Sequence, residues 1–356
     1  CLGNSVACAS PTVADTRWLL SYAAAVGDGD NPFYTSVAGP AVPRKTHDFH
    51  GSGVQGTGVM AHPLFCVAVE WPLMWRQAGG GALLAPRKGS GEIGLAAGEG
   101  GRGVHYSGDI IIHRPISAND AIATDCAVVA IRRRKRGTFV QYRFDHRMGT
   151  TGELLCTTWN GTYFRGVGIS GGADGEQEWV VRESLPPPLP QQQQRQRQQQ
   201  RQRQRQQQRQ QQRQQQQGTK HAAAPTTQLS MHIPIEPHLG IIYSECSRIW
   251  NPIHSDPSTA TASGLGGGPI LHGTATLAKC VSALVRRFTA GNDPAAVQRV
   301  SVKQFGAPVT MPTVLTLEVS NVVAHALSSL AVHFMVKTSG GDLAVRGGCV
   351  VLRAIS

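Results

Sequence analysis

The chain has 356 residues, enough for two core-bearing domains, and carries a net charge of +12. Seven arginines (195, 197, 201, 203, 205, 209 and 213) lie in one Gln/Arg tract; without them the charge falls to +5, too weak a balance to point to nucleic acid. No apolar run reaches the length of about eighteen that a membrane-spanning helix needs, and the eight scattered cysteines, with no C-x-x-C pair, read as reduced thiols of an intracellular protein rather than a metal or disulfide framework.

In chain order, "RWLLSYAAAVGDGDNPFY" (17–34) predicts an apolar helix followed by Asn31-Pro32-Phe33-Tyr34. Strand-like segments follow at 108–131, 137–148 and 154–166, where β-formers alternate with Gly or polar turns. Between the first two, Arg132-Arg133-Arg134-Lys135-Arg136 reads first as a solvated hairpin. Nuclear targeting and attraction of anionic phosphates are the other readings of that run. Residues 186–228 open on prolines and run into the Gln/Arg tract. With almost nothing apolar to bury, they are expected to form a disordered linker, and RNA binding is disfavoured because aromatics to stack bases are absent.

After the linker, "LGIIYSECSRIWNPIH" (239–254) repeats the first arrangement and ends in Asn251-Pro252-Ile253-His254. Asp256-Pro257 reads as a helix N-cap with proline at the first helical position. Leu277, Val281, Leu284, Val285 and Phe288 recur at helical spacing, predicting a buried helix over 274–290 with Gly291 as its stop. Four strand-like runs complete this copy, at 300–309, 314–323, 330–338 and 343–354. The expected architecture is α+β: an N-terminal half at 1–185, a linker at 186–228 and a C-terminal half at 229–356, each half wrapping a helix in an antiparallel sheet.

Three segments of the second half carry a resemblance to a known family. Asn251-Pro252-Ile253-His254-Ser255-Asp256-Pro257 is similar to N-P-[LIV]-H-x-D-P; Pro269-Ile270-Leu271-His272-Gly273 is similar to P-I-x-H-G; and "QFGAPVTMPTVLTLEV" resembles R-F-x-x-P-V-x-P-G-x-x-L, with Met311-Pro312 where Pro-Gly stands in the pattern. The sequence thus resembles the MaoC-like dehydratases, or hydratase-2 type, and the first half is similar to the N-terminal half of double hot-dog members. The resemblance implies a double hot-dog fold and reversible addition of water to an enoyl thioester of CoA or acyl carrier protein. It implies no cofactor or metal, no nucleic acid and no membrane span as partner, and leaves a homodimer open.

Water addition needs a base, a proton for the α-carbon and an oxyanion stabiliser. His254 is the candidate for proton transfer, and the N–H of Gly273, at the start of the apolar helix, for the oxyanion. Asn251, Ile249 and His272 are candidates for substrate contact, Asn251 having turn chemistry before Pro252 as an equal reading. The family pattern has an acidic residue five positions before the His, where this chain has Ile249. Slipping by one residue gives only Arg248, and Glu245, Asp28 and Asp30 are the carboxylates left to consider. Two readings therefore stand: a hydro-lyase working through His254 and Gly273, or an acyl-thioester binder or structural hot-dog protein that has lost its acid. His254 and Gly273 favour the first, Ile249 the second. Intracellular residence, mitochondrial or cytosolic, is expected over secretion; the chain opens on Cys and ends in Ala-Ile-Ser, so a targeting segment is not legible.

Overall fold

The computed structural model describes residues 2–35, 58–78, 84, 93–95, 103–171, 177–189, 229–264, 267–325 and 329–353. The first half carries β1 (Ser5–Ala7), β2 (Thr12–Val13), α1 (Thr16–Ala25), α2 (Pro32–Thr35), α3 (Cys66–Ala78), β3 (Gly94–Leu95), β4 (Gly103–Ile112), β5 (Ala121–Arg134), β6 (Gly137–Met148), β7 (Leu154–Arg165), β8 (Ile169–Ser170) and β9 (Glu178–Val180). The second carries β10 (Leu229–Ile235), α4 (Leu239–Ser247), a 3-10 turn (Pro252–His254), α5 (Pro257–Ala262), α6 (Gly273–Phe288), β11 (Val297–Phe305), β12 (Thr313–His325), β13 (Ser329–Lys337) and β14 (Leu343–Arg353).

Alternating side chains explain the strands. In β12, Leu315, Leu317 and Val319 are fully buried, with the polar Thr316, Glu318 and Ser320 turned the other way. The basic run forms the tip of the β5–β6 hairpin, where Arg134 pairs with Gly137. Twelve strands join in one antiparallel sheet whose main path is β1-β5-β6-β7-β4-β11-β14-β13-β12-β10. The sheets of the two halves run edge to edge through β4 and β11, in register from Arg299 opposite Ile111 to Val302 opposite Gly108.

Helix α6 sits against the inner face of the sheet. Ala278, Cys280, Val281, Leu284 and Val285 are buried in a core that also takes in Trp18, Tyr22 and Phe65 from the first half. Arg286 and Arg287 occupy its last turn, where the helix dipole favours cations, and Gly291 (φ 63°) lies three residues beyond its end. The helix of the first half, α3, is shorter and contains Pro72, which removes one backbone hydrogen bond. Helices α1 and α4 pack across the halves: Tyr22 and Tyr243 share a hydroxyl contact of 3.1 Å, and Trp18 Nε1 donates to the Cys246 carbonyl at 3.0 Å.

The linker expectation needs one correction. Residues 186–189 form a strap on the outer face of the sheet, where Arg299 donates to the Pro187 carbonyl at 2.6 Å and Leu189 joins Ala331, Cys349 and Val351 in a small apolar cluster. Leu189 buries apolar surface that a Gln/Arg tract lacks, and the Pro187 carbonyl gives Arg299 an acceptor. The rest of that segment, 190–228 with the tract itself, lies outside the described residues.

Candidate active site

The second Asn-Pro segment is built as a turn docked on a helix. Asn251 Oδ1 accepts from Ile253 N at 3.3 Å, capping the 3-10 turn that ends at His254. Asn31 Oδ1 accepts from Phe33 N in the same way in the first half. Asp256 caps α5, accepting from Ser258 N and Thr259 N; hydrogen bonds from the Thr259 and Ser258 hydroxyls, and after them from Thr259 N, hold its carboxyl down to about 2. The turn closes tightly on α4: a Cβ at Gly240 would lie 2.4 Å from the His254 carbonyl oxygen, so only glycine admits this approach.

His254 is fixed through one ring nitrogen. Its Nδ1 lies 2.7 Å from the Ile270 carbonyl, an acceptor, so Nδ1 carries the proton and Nε2 keeps its lone pair. Burial pushes the ring down to about 4, leaving it neutral at physiological pH. The ring stacks on His272 with centroids 3.5 Å apart and planes 25° from parallel. Burial first, then the neighbouring His254, hold His272 well below the usual histidine range. His272 Nε2 faces the Ile249 carbonyl (3.3 Å) and Ser244 Oγ (3.4 Å), while its buried Nδ1 has no hydrogen-bond partner among the described residues. That nitrogen is therefore an open acceptor beside His254.

His272 is also the residue that caps α6, and Gly273 opens that helix. The first-turn N–H groups have no partner within a helix, so they present partial positive charge at this point. A Cβ at Gly273 would sit 3.0 Å from the Phe305 ring, and Phe305 in turn lies 4.6 Å, centroid to centroid, from His105. Glycine leaves the backbone open to close approach, and Phe305 and His105 furnish an aromatic wall beside it.

The structure brings His254, His272 and Gly273 together with the carbonyl of Ile249. It does not bring an acid to them. The Ile249 side chain is buried in the main core. Arg248, in left-handed conformation (φ 60°) at the end of α4, lies 3.8 Å over the Trp18 ring and reaches Asp15. Glu245 is exposed. Asp28 pairs with Arg286 at 2.5 Å and bonds Ser282, nine residues along α6 from Gly273, about 13 Å at a rise of about 1.5 Å per residue. Asp30 is exposed and also bound to Arg286. No carboxylate among the described residues hydrogen-bonds His254 or His272, and none contributes to either ring's shift. Nor does any group of three His, Cys, Asp or Glu among those residues sit as a metal site.

The comparisons with known proteins bear on this geometry. Residues 205–337 match the family model for the MaoC like domain, which spans the Asn-Pro turn, α6 and the strands through β13. The C-terminal half is thus similar to a MaoC-like domain. The whole chain is similar to a MaoC-like dehydratase from Phytophthora capsici, with 17% identity, a TM-score of 0.64, and 99% of this chain and 96% of that one covered. It is similar to a Mycobacterium tuberculosis protein described as a double hotdog fold, at 13% identity and a TM-score of 0.53, covering 99% and 96%. It also matches the full-length peroxisomal multifunctional enzyme type 2 of Drosophila melanogaster at 17% identity and a TM-score of 0.58, covering 99% of this chain and 48% of that one. No curated protein sequence matches. The fold is thus α+β, a double hot dog.

Sequence reasoning missed three parts of the candidate site. The Ile270 carbonyl sets the tautomer of His254, Ser244 anchors His272, and His105 arrives from the other half. Phe305 lay inside a segment already similar to the family pattern, and that was its only signal. His105 had none, because it reaches Phe305 only once β4 and β11 are neighbours.

Proposed function

We propose that the protein is a hydratase or dehydratase of enoyl or 3-hydroxyacyl thioesters in which His254 alone transfers the proton. One observation carries this reading: a neutral, oriented imidazole with Nε2 free stands beside the glycine that opens α6. In the hydration direction, His254 Nε2 takes a proton from water as the oxygen bonds to the β-carbon. The π electrons move to the thioester oxygen, whose negative charge is met by the first-turn N–H groups at Gly273. The imidazolium then returns its proton to the α-carbon on the same face, which restores the neutral ring and completes the addition of H and OH. The open acceptor at His272 Nδ1 suits an O–H donor, the water or the product hydroxyl. The aromatic wall of Phe305 and His105 suits an apolar acyl chain.

Loss of crotonyl-CoA or decenoyl-CoA absorbance tests the proposal. Wild type is expected to turn over and His254→Ala to lose turnover with an unchanged melting curve. The second reading, a thioester binder without catalysis, is favoured by Ile249 and by the missing carboxylate. Binding of acyl-CoA without hydration by wild type would establish the binder and end the enzyme reading.

A further inference from the structure

A cavity of about 820 Å³ opens on the outer face of the sheet, between the β5–β6 hairpin and the 186–189 strap. Its floor is aromatic: Tyr106 lies 5.8 Å from Phe139 and 6.0 Å from Tyr163, centroid to centroid. Its rim is basic. Arg132 and Arg299 are already matched, to Glu178 and to Asp109, and Asp109 is the one acidic residue in the lining. Arg134, Lys135, Arg136 and Lys303 are exposed and hold no ion pair among the described residues. Arg134 shares Glu178 with Arg132 at longer range, and that single carboxylate leaves an excess of positive charge around one concavity, which a bound anion relieves. The Gln/Arg tract that follows the strap in sequence carries the same sign of charge, so it is no complement to this rim.

We propose that this cavity binds a phosphorylated nucleoside, with the base against Tyr106 and Tyr163 and the phosphates on Arg134, Lys303 and their neighbours. The half-buried rings of Tyr106 and Tyr163 line the cavity where a planar base would lie, Lys and Arg take phosphate, and the volume falls within the range of about 300–1,000 Å³ of small-ligand sites. Two sources share this chemistry: a free nucleotide, or the nucleotide end of a CoA thioester. The second source rests on the hydratase reading; the first does not.

Calorimetric titration of the full chain with ADP, pyrophosphate and adenosine tests the site whether or not the protein turns over. ADP is expected to bind most tightly, pyrophosphate more weakly and adenosine weakest, with ADP affinity falling as salt rises. Arg134→Glu with Lys303→Glu is expected to weaken ADP by about tenfold or more. Tyr106→Ala is expected to weaken ADP while leaving pyrophosphate within about twofold, a split that a misfolded cavity would not give. The proposal is overturned if ADP gives no binding, or if the Glu pair binds it as wild type does. It is equally overturned if replacing 191–217 alone removes binding, or if a single-stranded oligonucleotide displaces ADP at far lower concentration, which would make the face a polynucleotide surface. The source is read in the same proteins. Crotonyl-CoA that displaces ADP from His254→Ala and itself binds the Glu pair more weakly than it binds His254→Ala identifies the CoA end, and no displacement identifies a free nucleotide.

Discussion

At the scale of the residue, the proposed chemistry turns on two positions five apart. Because burial holds His254 at about 4, its Nε2 is already a free base at neutral pH. The group loses function only when protonated, so turnover is expected to stay flat from pH 8 to about 5 and to fall as pH drops through about 4. A rate that falls already below about pH 6.5 would mean an unperturbed imidazole, exposed to water. Ile249→Asp probes the other position. A positioned acid–base group contributes about a hundredfold or more, so the substitution is expected to raise turnover, at a cost in melting temperature for a carboxylate placed in a core. Unchanged turnover would show that position 249 does not reach the reacting water. A lower rate would show that the Ile249 side chain itself shapes the acyl slot. His254 was legible because its cap, its turn and its motif are local in sequence. That Ile249 turns inward while its carbonyl serves His272 was not, since those contacts span 23 residues.

At the scale of the element, α6 was readable from its periodicity alone, because the helix buries one stripe and keeps Arg286 and Arg287 outside. Leu284 is fully buried in that stripe, and Leu284→Ala is expected to cost about 2–5 kcal/mol in chemical denaturation, the range for a core cavity of this kind. A cost below about 1 kcal/mol would mean the core collapses around the gap. Helix α3 was harder to see, since Pro72 interrupts it and its inward face carries an acidic side chain. Glu70, 3% exposed, accepts from Thr158 Oγ1 at 2.5 Å and lies 3.3 Å from His146 Nε2, whose Nδ1 meets Thr124 Oγ1 at 3.0 Å. Hydrophobic patterning places polar residues outside, so a buried Glu–His–Thr network defeats it. Glu70→Ala leaves His146 and Thr158 without their shared acceptor and is expected to cost about 3–5 kcal/mol. Glu70→Gln, which keeps an acceptor oxygen, should cost clearly less, and equal losses would place the stabilisation in charge rather than in the hydrogen bonds.

At the scale of the molecule, two sequence copies become one body through contacts that neither copy contains. The β4–β11 seam, the Asp109–Arg299 pair on its outer face and the Tyr22–Tyr243 contact beneath it all join residues more than 180 positions apart. Pattern reading could pair the copies and yet had no means to find this seam, because strand order is set by which edges are free once each half has folded. The seam predicts a single unfolding transition by calorimetry and by denaturant. Two resolved transitions would mean that the halves are stable apart. The linker then has little thermodynamic work left. The strap is tied down at Pro187, Pro188 and Leu189, and the second half begins its sheet at Leu229. Replacing residues 191–217 with a short Gly/Ser segment therefore removes no contact described above and changes only a loop-closure entropy that varies slowly with length, about 0.6 kcal/mol per doubling. The melting temperature is expected to move by no more than about 2–3 °C, the shift that under 1 kcal/mol produces in a chain of this size. A loss several times larger would show that the tract packs against the folded halves, and the strap beside the basic rim would be the first place to look for the contact.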